Sequence, residues 1–311
     1  MSPPMILCVC PNLCYDRVIV VPGFTVGAVH RAEQAIPLAS GKGLNVARAA
    51  AALGVPLVVT GFVSGDAAAA VVQGAREAGL SLDAVRVRGP SRVCTLLIDP
   101  GRSETVVNER GASVDETAVR ALRRRVARHL PDSSVLVLTG SVPPGLPAAF
   151  FASIVRQAGT RPVILDTPGE AFRLGVAAHP TVAKLNRREL EDTLNRTLSS
   201  VGEVAGAARE VMAAGAQAVV VTLGADGAVL VLSEDAWFVE APRVERVNTI
   251  GAGDSLSAGI AAGLHQGRSL LEALRLGVAA AASDVTTLLP GAVDAARAEA
   301  LAPGIRVEQL V

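Results

Sequence analysis

Four short stretches of this chain gather residue types able to do chemistry. The first is Asn248-Thr249-Ile250-Gly251-Ala252-Gly253-Asp254-Ser255, which runs into a long apolar segment. Gly251 and Gly253 let the backbone bend so that several N–H groups, including that of Ala252, converge where a helix starts. Such an N-terminus is an anion site. Asp254 falls in the first turn, aimed at the same spot. A carboxylate beside an anion cradle is odd for simple binding, because the two repel. The pairing makes sense if the carboxylate takes a proton from an attacking hydroxyl while the amides hold a phosphoryl group. The plainer alternative is a glycine-rich turn whose Asp254 is favoured by the helix dipole, and the stretch alone does not choose.

The second stretch, Ser40-Gly41-Lys42-Gly43-Leu44-Asn45, opens another helix. A flexible backbone, one cation and one amide side chain suit a polyol or a phosphosugar; the alternative is a loop whose Lys42 is merely solvated. It is not a GxxxxGK[ST] loop, since Gly43 follows Lys42 and position 36 is Ile. GxGxxG fails at Gly251 as well, because its third position is Leu256. The third stretch is Lys184-Leu185-Asn186-Arg187-Arg188-Glu189, at the end of a predicted strand. Asn186 and Glu189 share a helical face, and Glu189 could hold Mg²⁺ through water. The same spacing is a capping box, which taken alone is the better account. The fourth, Thr222 to Gly227, is a tight turn in which Thr222, Gly224 and Gly227 allow close approach of a nucleotide, or is simply a hairpin.

Positioning these stretches falls to short Val/Ile/Leu runs alternating with Ala-rich helical segments. Strands are predicted at 6–9, 57–62, 135–139, 163–166, 182–185, 219–223 and 228–232. Helices are predicted at 43–53, 67–78, 116–130, 148–158, 203–214, 252–266 and 270–288. Continuous apolar strands between helices imply an α/β protein with a mostly parallel sheet covered on both faces. Ligands then belong beyond the carboxyl ends of its strands. Two segments break the rhythm: extended pieces over 17–38, and a hairpin over 92–109 turning at Asp99-Pro100-Gly101-Arg102. Both predict a small β layer from insertions at about 17–39 and 91–111, acting as a lid, a structural flap or a dimer surface.

Composition narrows the partners. The 311 residues are 50% hydrophobic and 19% charged, which excludes a disordered chain. Lys+Arg and Asp+Glu are both 29 and aromatics are 3%, so neither a basic face nor stacking platforms for nucleic acid are expected. No apolar run approaches the ~20 residues of a membrane span. Residues 1–10 lack a basic segment and read as a first buried strand, not a signal peptide. Cysteines 8, 10, 14 and 94 and histidines 30, 129, 179 and 265 show no zinc-ligand spacing. The thiols read as free and buried, as in a reducing cytosol.

Taken together and in this order, the four stretches resemble the ribokinase/PfkB family of sugar kinases over essentially the whole chain. The stretch GKGLNVARAAAALG from Gly41 is similar to the family's N-terminal signature, and NTIGAGDSLSAGIAAG from Asn248 to its C-terminal one. The resemblance is closer to the branch of 1-phosphofructokinases and tagatose-6-phosphate kinases. It rests there on Asn12–Asp16 (NLCYD), on Ser91-Arg92 at the start of a lid strand, on Ser141-Val142-Pro143-Pro144-Gly145, and on Asn248 in place of Asp. The chain departs from the family pattern at Leu13, Cys14, Ser40, Arg110 and Leu185; none of these removes a chemical group from the proposed site.

The resemblance implies one ribokinase-like domain over 1–311, a three-layer α/β/α unit with a mostly parallel central sheet and a small β-sheet lid. It implies transfer of the γ-phosphoryl of MgATP to a primary hydroxyl of a ketohexose phosphate. Fructose-1-phosphate is the first choice, with tagatose-6-phosphate or fructose-6-phosphate as alternatives; a neutral-sugar or nucleoside kinase and a non-catalytic phosphosugar-binding regulator rank behind them. Asp254 would be the base, and the Gly251, Ala252 and Gly253 amides would stabilise the transferring group. Asp16, Gly41, Lys42 and Asn45 would hold sugar hydroxyls. Arg92 would hold the sugar's own phosphate, supported by Lys42, Arg31 and Ser141. Lys184, Asn186, Glu189, Thr222, Gly224 and Gly227 would approach ATP, with Ser283 near the adenine and Glu189 holding Mg²⁺ through water. The lids would pair two subunits into a homodimer in the cytoplasm.

Overall fold

In β1 (Met5–Asn12), Ile6, Cys8 and Cys10 enter one hydrophobic layer and Leu7 and Val9 the other. A strand buried on both faces has no polar side to show, which is why it reads as a continuous apolar run. The computed structural model describes residues 4–310, so the first three residues of the 1–10 strand reading lie outside it. The chain continues through β2 (Cys14–Val20), β3 (Gln34–Ser40), α1 (Lys42–Ala52), β4 (Leu57–Ser64) and α2 (Ala67–Glu77). Then come β5 (Ser81–Val87), β6 (Val93–Asp99), β7 (Ser103–Asn108), α3 (Glu116–His129), β8 (Ser133–Thr139) and α4 (Phe150–Gln157). The second half holds β9 (Val163–Asp166), α5 (Gly169–Val176), β10 (Val182–Asn186), α6 (Arg187–Leu194), α7 (Val201–Ala213) and β11 (Ala218–Thr222). It closes with β12 (Gly227–Val231), β13 (Ala236–Glu240), α8 (Ala252–His265), α9 (Leu270–Asp284), α10 (Ala295–Leu301) and β14 (Val307–Leu310).

The large sheet has ten strands in the order β14-β13-β12-β11-β10-β9-β8-β1-β4-β5. Strands from β11 to β5 run parallel, and the last three pair antiparallel. Winding goes outward in opposite directions from β1 and β8, so a switch point opens between their carboxyl ends, where ligands enter such sheets. Beyond Asn12 the chain leaves the large sheet. Its register against β4 slips between Val9 and Asn12, and β2 begins a second sheet ordered β3-β2-β6-β7. This small sheet has its own core of Cys14, Val18, Cys94, Leu96 and Ile98, packed on Ile250, Leu288 and Leu289.

The small sheet starts at Cys14 rather than at 17, so Asp16 belongs to it. Edge strands β5 and β14 escape the sequence reading because each exposes polar residues and lacks a continuous apolar run. The hairpin partner β13 escapes it too. So do the short helix α5, which opens on a glycine, α6, which buries only Leu190, and α10, which buries only Ala298. The helix predicted at 270–288 ends at Asp284. There the Thr286 and Thr287 hydroxyls donate to the Ser283 and Asp284 carbonyls at 2.7 and 2.9 Å. Among the described residues no helix is long and apolar enough to cross a membrane.

Candidate active site

The carboxyl ends of β1, β8 and β9, the starts of α1 and α8, and the small sheet enclose a cavity of ≈360 Å³. Lys42, Asp166 and Asp254 face it from the large sheet's side, and Asp16 and Arg92 from the small sheet's side.

Helix α8 begins on Gly251 at φ 98°, a left-handed conformation, with no side-chain cap. A Cβ on Gly251 would stand 2.7 Å from Pro290 Cβ, so only glycine makes this bend against its neighbour. The Asp254 and Ser255 N–H groups donate to the Gly251 carbonyl at 2.8 and 2.9 Å. Among the described residues the N–H groups of Gly251 and Gly253 have no partner, and that of Ala252 makes only a 3.3 Å contact with Thr249. Uncompensated donors at a helix start attract an anion.

Asp254 is 6% exposed, with both carboxylate oxygens engaged. Oδ1 lies 3.2 Å from Lys42 Nζ, and Oδ2 accepts from Asn45 Nδ2 at 2.9 Å. Asn45 is oriented in turn by Arg48, whose Nη1 donates to Asn45 Oδ1 at 2.9 Å and to the Pro290 carbonyl at 3.1 Å. A second Arg48 nitrogen donates to the Ala39 carbonyl. With Oδ1 occupied, the Asn45 amide can only present N–H to Asp254. The sequence reading missed Arg48. Its position one helical turn after Asn45 was the available signal.

Lys42 also reaches Asp166 at 3.1 Å. Burial pulls its ammonium down, but the Asp166 and Asp254 charges outweigh that and hold it above the ordinary lysine range. Lys184, 4% exposed, lies 3.0 Å from the same Asp166 carboxylate. Burial alone would raise Asp166. The Lys184 and Lys42 charges win, and its carboxyl falls to about 2. A Cβ on Gly253 would lie 3.1 Å from Lys184 Nζ, so this cation sits against the uncapped helix start. Removing one partner from such a buried pair costs about 3–5 kcal/mol. The sequence reading gave Asp166 no role, although an acid closing the apolar strand Val-Ile-Leu-Asp was visible.

On the small-sheet side, Asn12 Nδ2 donates to Ser141 Oγ at 2.9 Å and to the Arg110 carbonyl at 3.0 Å. Arg92 donates through Nη1 to the Asn12 carbonyl at 2.5 Å and through Nε to the Glu109 carbonyl at 2.9 Å. Among the described residues its Nη2 has no partner, so the guanidinium is anchored with one edge left over. Burial pushes the Asp16 carboxyl up, against the Cys14 thiol and the Ser40 hydroxyl, which favour its charge. Gly41, at φ 101°, would place a Cβ 3.1 Å from Leu13 Cα, which seats the second stretch on the crossing from β1 to β2.

The pfkB family carbohydrate kinase model matches residues 5–294. The chain belongs to this family of carbohydrate kinases. It is 34% identical over 304 residues to a 1-phosphofructokinase of Rhodobacter capsulatus, covering 96% of each chain. It is 30% identical to a 1-phosphofructokinase of Bacillus subtilis strain 168, over 88% of this chain and 90% of that one. Among solved structures it superposes on a possible 1-phosphofructokinase from Thermotoga maritima with a TM-score of 0.89 at 25% identity, covering 99% of this chain and 100% of that one. The ribokinase-like fold and a phosphotransferase acting on an alcohol group follow.

In this kinase the cavity brings together Asp16, Gly41, Lys42, Asn45, Arg92, Ser141, Glu189 and Asp254. Asn186 and Glu189 form the full capping box of α6, each side chain accepting from the other's N–H at 2.8 Å. Thr222 sits in register beside Asn186 at the same edge of the sheet. Gly224 faces open space at φ 64°, whereas a Cβ on Gly227 would meet the Val239 carbonyl. Thr222, Gly224 and Gly227 do not line the cavity that holds Asp254.

Two residues stand apart from their expected places. Ser283 is fully buried, and its hydroxyl bonds the Asp294 carbonyl and N–H at 3.1 and 2.9 Å, so its side chain presents no free face to an adenine. Arg31 is exposed on the connection between β2 and β3 and does not line the cavity. Four free, buried cysteines agree with the thiol reading.

Proposed function

We propose that this kinase transfers the γ-phosphoryl of MgATP to the free primary hydroxyl of fructose-1-phosphate, giving fructose-1,6-bisphosphate. The observation that carries the reading is Asp254. It is held by Lys42 and Asn45 at the uncapped start of α8, on the cavity that also holds Arg92. Asp254 accepts the proton of the attacking hydroxyl. The Gly251, Ala252 and Gly253 amides and Lys184 receive the charge of the transferring phosphoryl group. Asp16, Gly41 and Asn45 orient the sugar hydroxyls. Arg92, supported by Ser141 and Lys42, takes the existing phosphate with its planar fork.

Asn186, Glu189, Thr222, Gly224 and Gly227 form the nucleotide's edge of the site. The Glu189 carboxylate, on the cavity near Lys42, offers hard oxygen and fits Mg²⁺. Glu189 would hold it through water, which leaves the capping box intact. The ion would supply positive charge against the phosphates of the nucleotide. The small sheet acts as a lid that excludes water. Its edge strand β7 exposes Val106 and Val107, 40% and 58% accessible, which supports pairing of two lids in a homodimer. Reduced thiols fit a cytoplasmic enzyme.

The test is ADP release with MgATP and a panel of fructose-1-phosphate, fructose-6-phosphate, tagatose-6-phosphate, fructose, ribose and adenosine. A dominant kcat/KM for fructose-1-phosphate is expected. Preference for an unphosphorylated acceptor would overturn the substrate while keeping the family. Arg92→Ala should raise KM for the phosphosugar about tenfold or more, the scale of one charged hydrogen bond. An unchanged KM removes Arg92 as the phosphate anchor. Sedimentation analysis tests the dimer.

A further inference from the structure

We propose that Cys14, Asp16 and Cys94 form a binding site for a soft divalent cation, Zn²⁺ foremost, whose occupancy excludes the sugar. The exclusion rests on the sugar-binding reading of Asp16 above; the cation site itself does not.

Strands β2 and β6 run side by side with Asp16 opposite Cys94, and Cys14 stands two residues before Asp16 on the same face. The three ligand atoms lie within 4.8 Å of one another, and all three residues are buried. The Cys14 thiol donates to Asp16 Oδ1 at 2.9 Å. A tetrahedral zinc centre with Zn–S near 2.3 Å and Zn–O near 2.1 Å puts its ligand atoms roughly 3.5–3.8 Å apart. The trio therefore needs at most about an ångström of side-chain adjustment. All three residues also line the cavity, which leaves a fourth coordination position open to water. Three protein ligands with one open position make a complete zinc site.

Two thiolates select a soft ion and reject Mg²⁺, which demands oxygen. The cavity thus has a hard-oxygen end at Asp166 and Glu189 and a soft end at the two cysteines. Binding the ion releases the Cys14 and Cys94 thiol protons to solvent. The filled site then carries two thiolates, one carboxylate and one dication, a net single negative charge, and Arg92 on the same cavity offsets it. With Asp16 coordinated, its carboxylate no longer receives a sugar hydroxyl. The sequence spacing hides this site because Cys94 is distant in the chain and strand pairing alone brings it to Cys14.

The test uses the reduced full chain without nucleotide. Titration with Co²⁺ should produce a thiolate-to-cobalt charge-transfer band that saturates at one equivalent and is bleached by Zn²⁺. X-ray absorption of the Zn²⁺-loaded, unaltered chain should show two sulfur neighbours near 2.3 Å. Cys94→Ala, checked for folding by its melting curve, should weaken Zn²⁺ by more than about 100-fold, since losing even an outer-shell partner costs 10–100-fold. Fructose-1-phosphate should displace Co²⁺, and Zn²⁺ should raise the apparent KM for that sugar with kcat unchanged.

Absence of the band, a first shell of nitrogen and oxygen only, or a band undiminished in Cys94→Ala overturns the site. An active kinase whose KM ignores bound Zn²⁺ overturns the exclusion. A sulfur-ligated ion on a chain that phosphorylates none of the sugars keeps the site and fails the proposed function instead.

Discussion

Helices α8 and α9 lie against each other so closely that a Cβ on Gly259 would stand 2.5 Å from Gly277 Cα, yet they begin in opposite ways. Helix α9 starts on Ser269 with a complete capping box, in which Ser269 and Glu272 satisfy each other's backbone N–H groups. Helix α8 starts on Gly251 with no side-chain cap and with N–H groups left over. The first solution maximises stability. The second leaves unpaired donors where a carboxylate and two lysines converge. A helix end left unsatisfied beside a cavity, in a molecule that caps its neighbour fully, marks where a ligand supplies the missing partner. The start of α8 also meets the end of α9: Ser255, in the first turn of α8, donates to Asp284 at 2.9 Å.

Substitutions along this pair sharpen the contrast. The largest effect is expected at the carboxylate proposed as the base, in the first turn of α8. Asp254→Asn should lower kcat by about 100-fold or more with little change in ATP or sugar binding. Near-normal turnover would remove Asp254 from the chemistry.

Next comes the contact that ties the helices. Burial pushes the Asp284 carboxyl up to about 7; the Ser255 hydroxyl opposes this and the Asp254 charge adds to it. Between the ordinary carboxylate value and about 7 the folded chain binds the proton that the unfolded chain has lost. Stability therefore falls as pH rises through that window. Asp284→Asn should remove this slope, leaving the variant more stable than the parent at pH 8 by on the order of 3 kcal/mol and little different at pH 4. Denaturant melts at both pH values read it, and parallel curves for the two proteins would refute it.

Gly251→Ala forces a side chain into a left-handed bend facing Pro290. A loss of about 2 kcal/mol in stability, with reduced turnover, is expected. Unaltered kinetics would show that the bend is not needed for catalysis. The smallest effect lies at the capped end: Ser269→Ala should cost about 1 kcal/mol and leave kcat/KM untouched. A fall in activity there would erase the distinction between the two helix starts.

Most of the large sheet was legible because a strand buried on both faces must be apolar throughout, as in β1, β8 and β11. The edge strands β5 and β14 were not, since half-exposed strands carry ordinary polar residues. The α8 loop was legible because backbone geometry demanded glycines at fixed places and left Asp254 beside them. Asn186 and Glu189 were legible as a capping box, and the structure builds that box.

Residues whose meaning depends on distant partners could not be read this way. Asp166 is one acid among 29 Asp and Glu until folding surrounds it with Lys42 and Lys184. Arg48 is one more surface-like arginine until folding sets it, half-buried, against Asn45 and Pro290. Cys14 and Cys94 are unrelated thiols until β2 and β6 pair.

The order of residues along the chain sets the alternation of strands and helices, the glycine bends and the place of Asp254 beside them. These depend on backbone conformation and burial periodicity, which are local properties of the chain. Tertiary structure alone decided which charges face one another, which helix end stays uncapped toward a cavity, and which side chains share a coordination sphere. Coulomb interactions, hydrogen bonds and metal ligation act over a few ångströms of space, and only the folded chain fixes those distances.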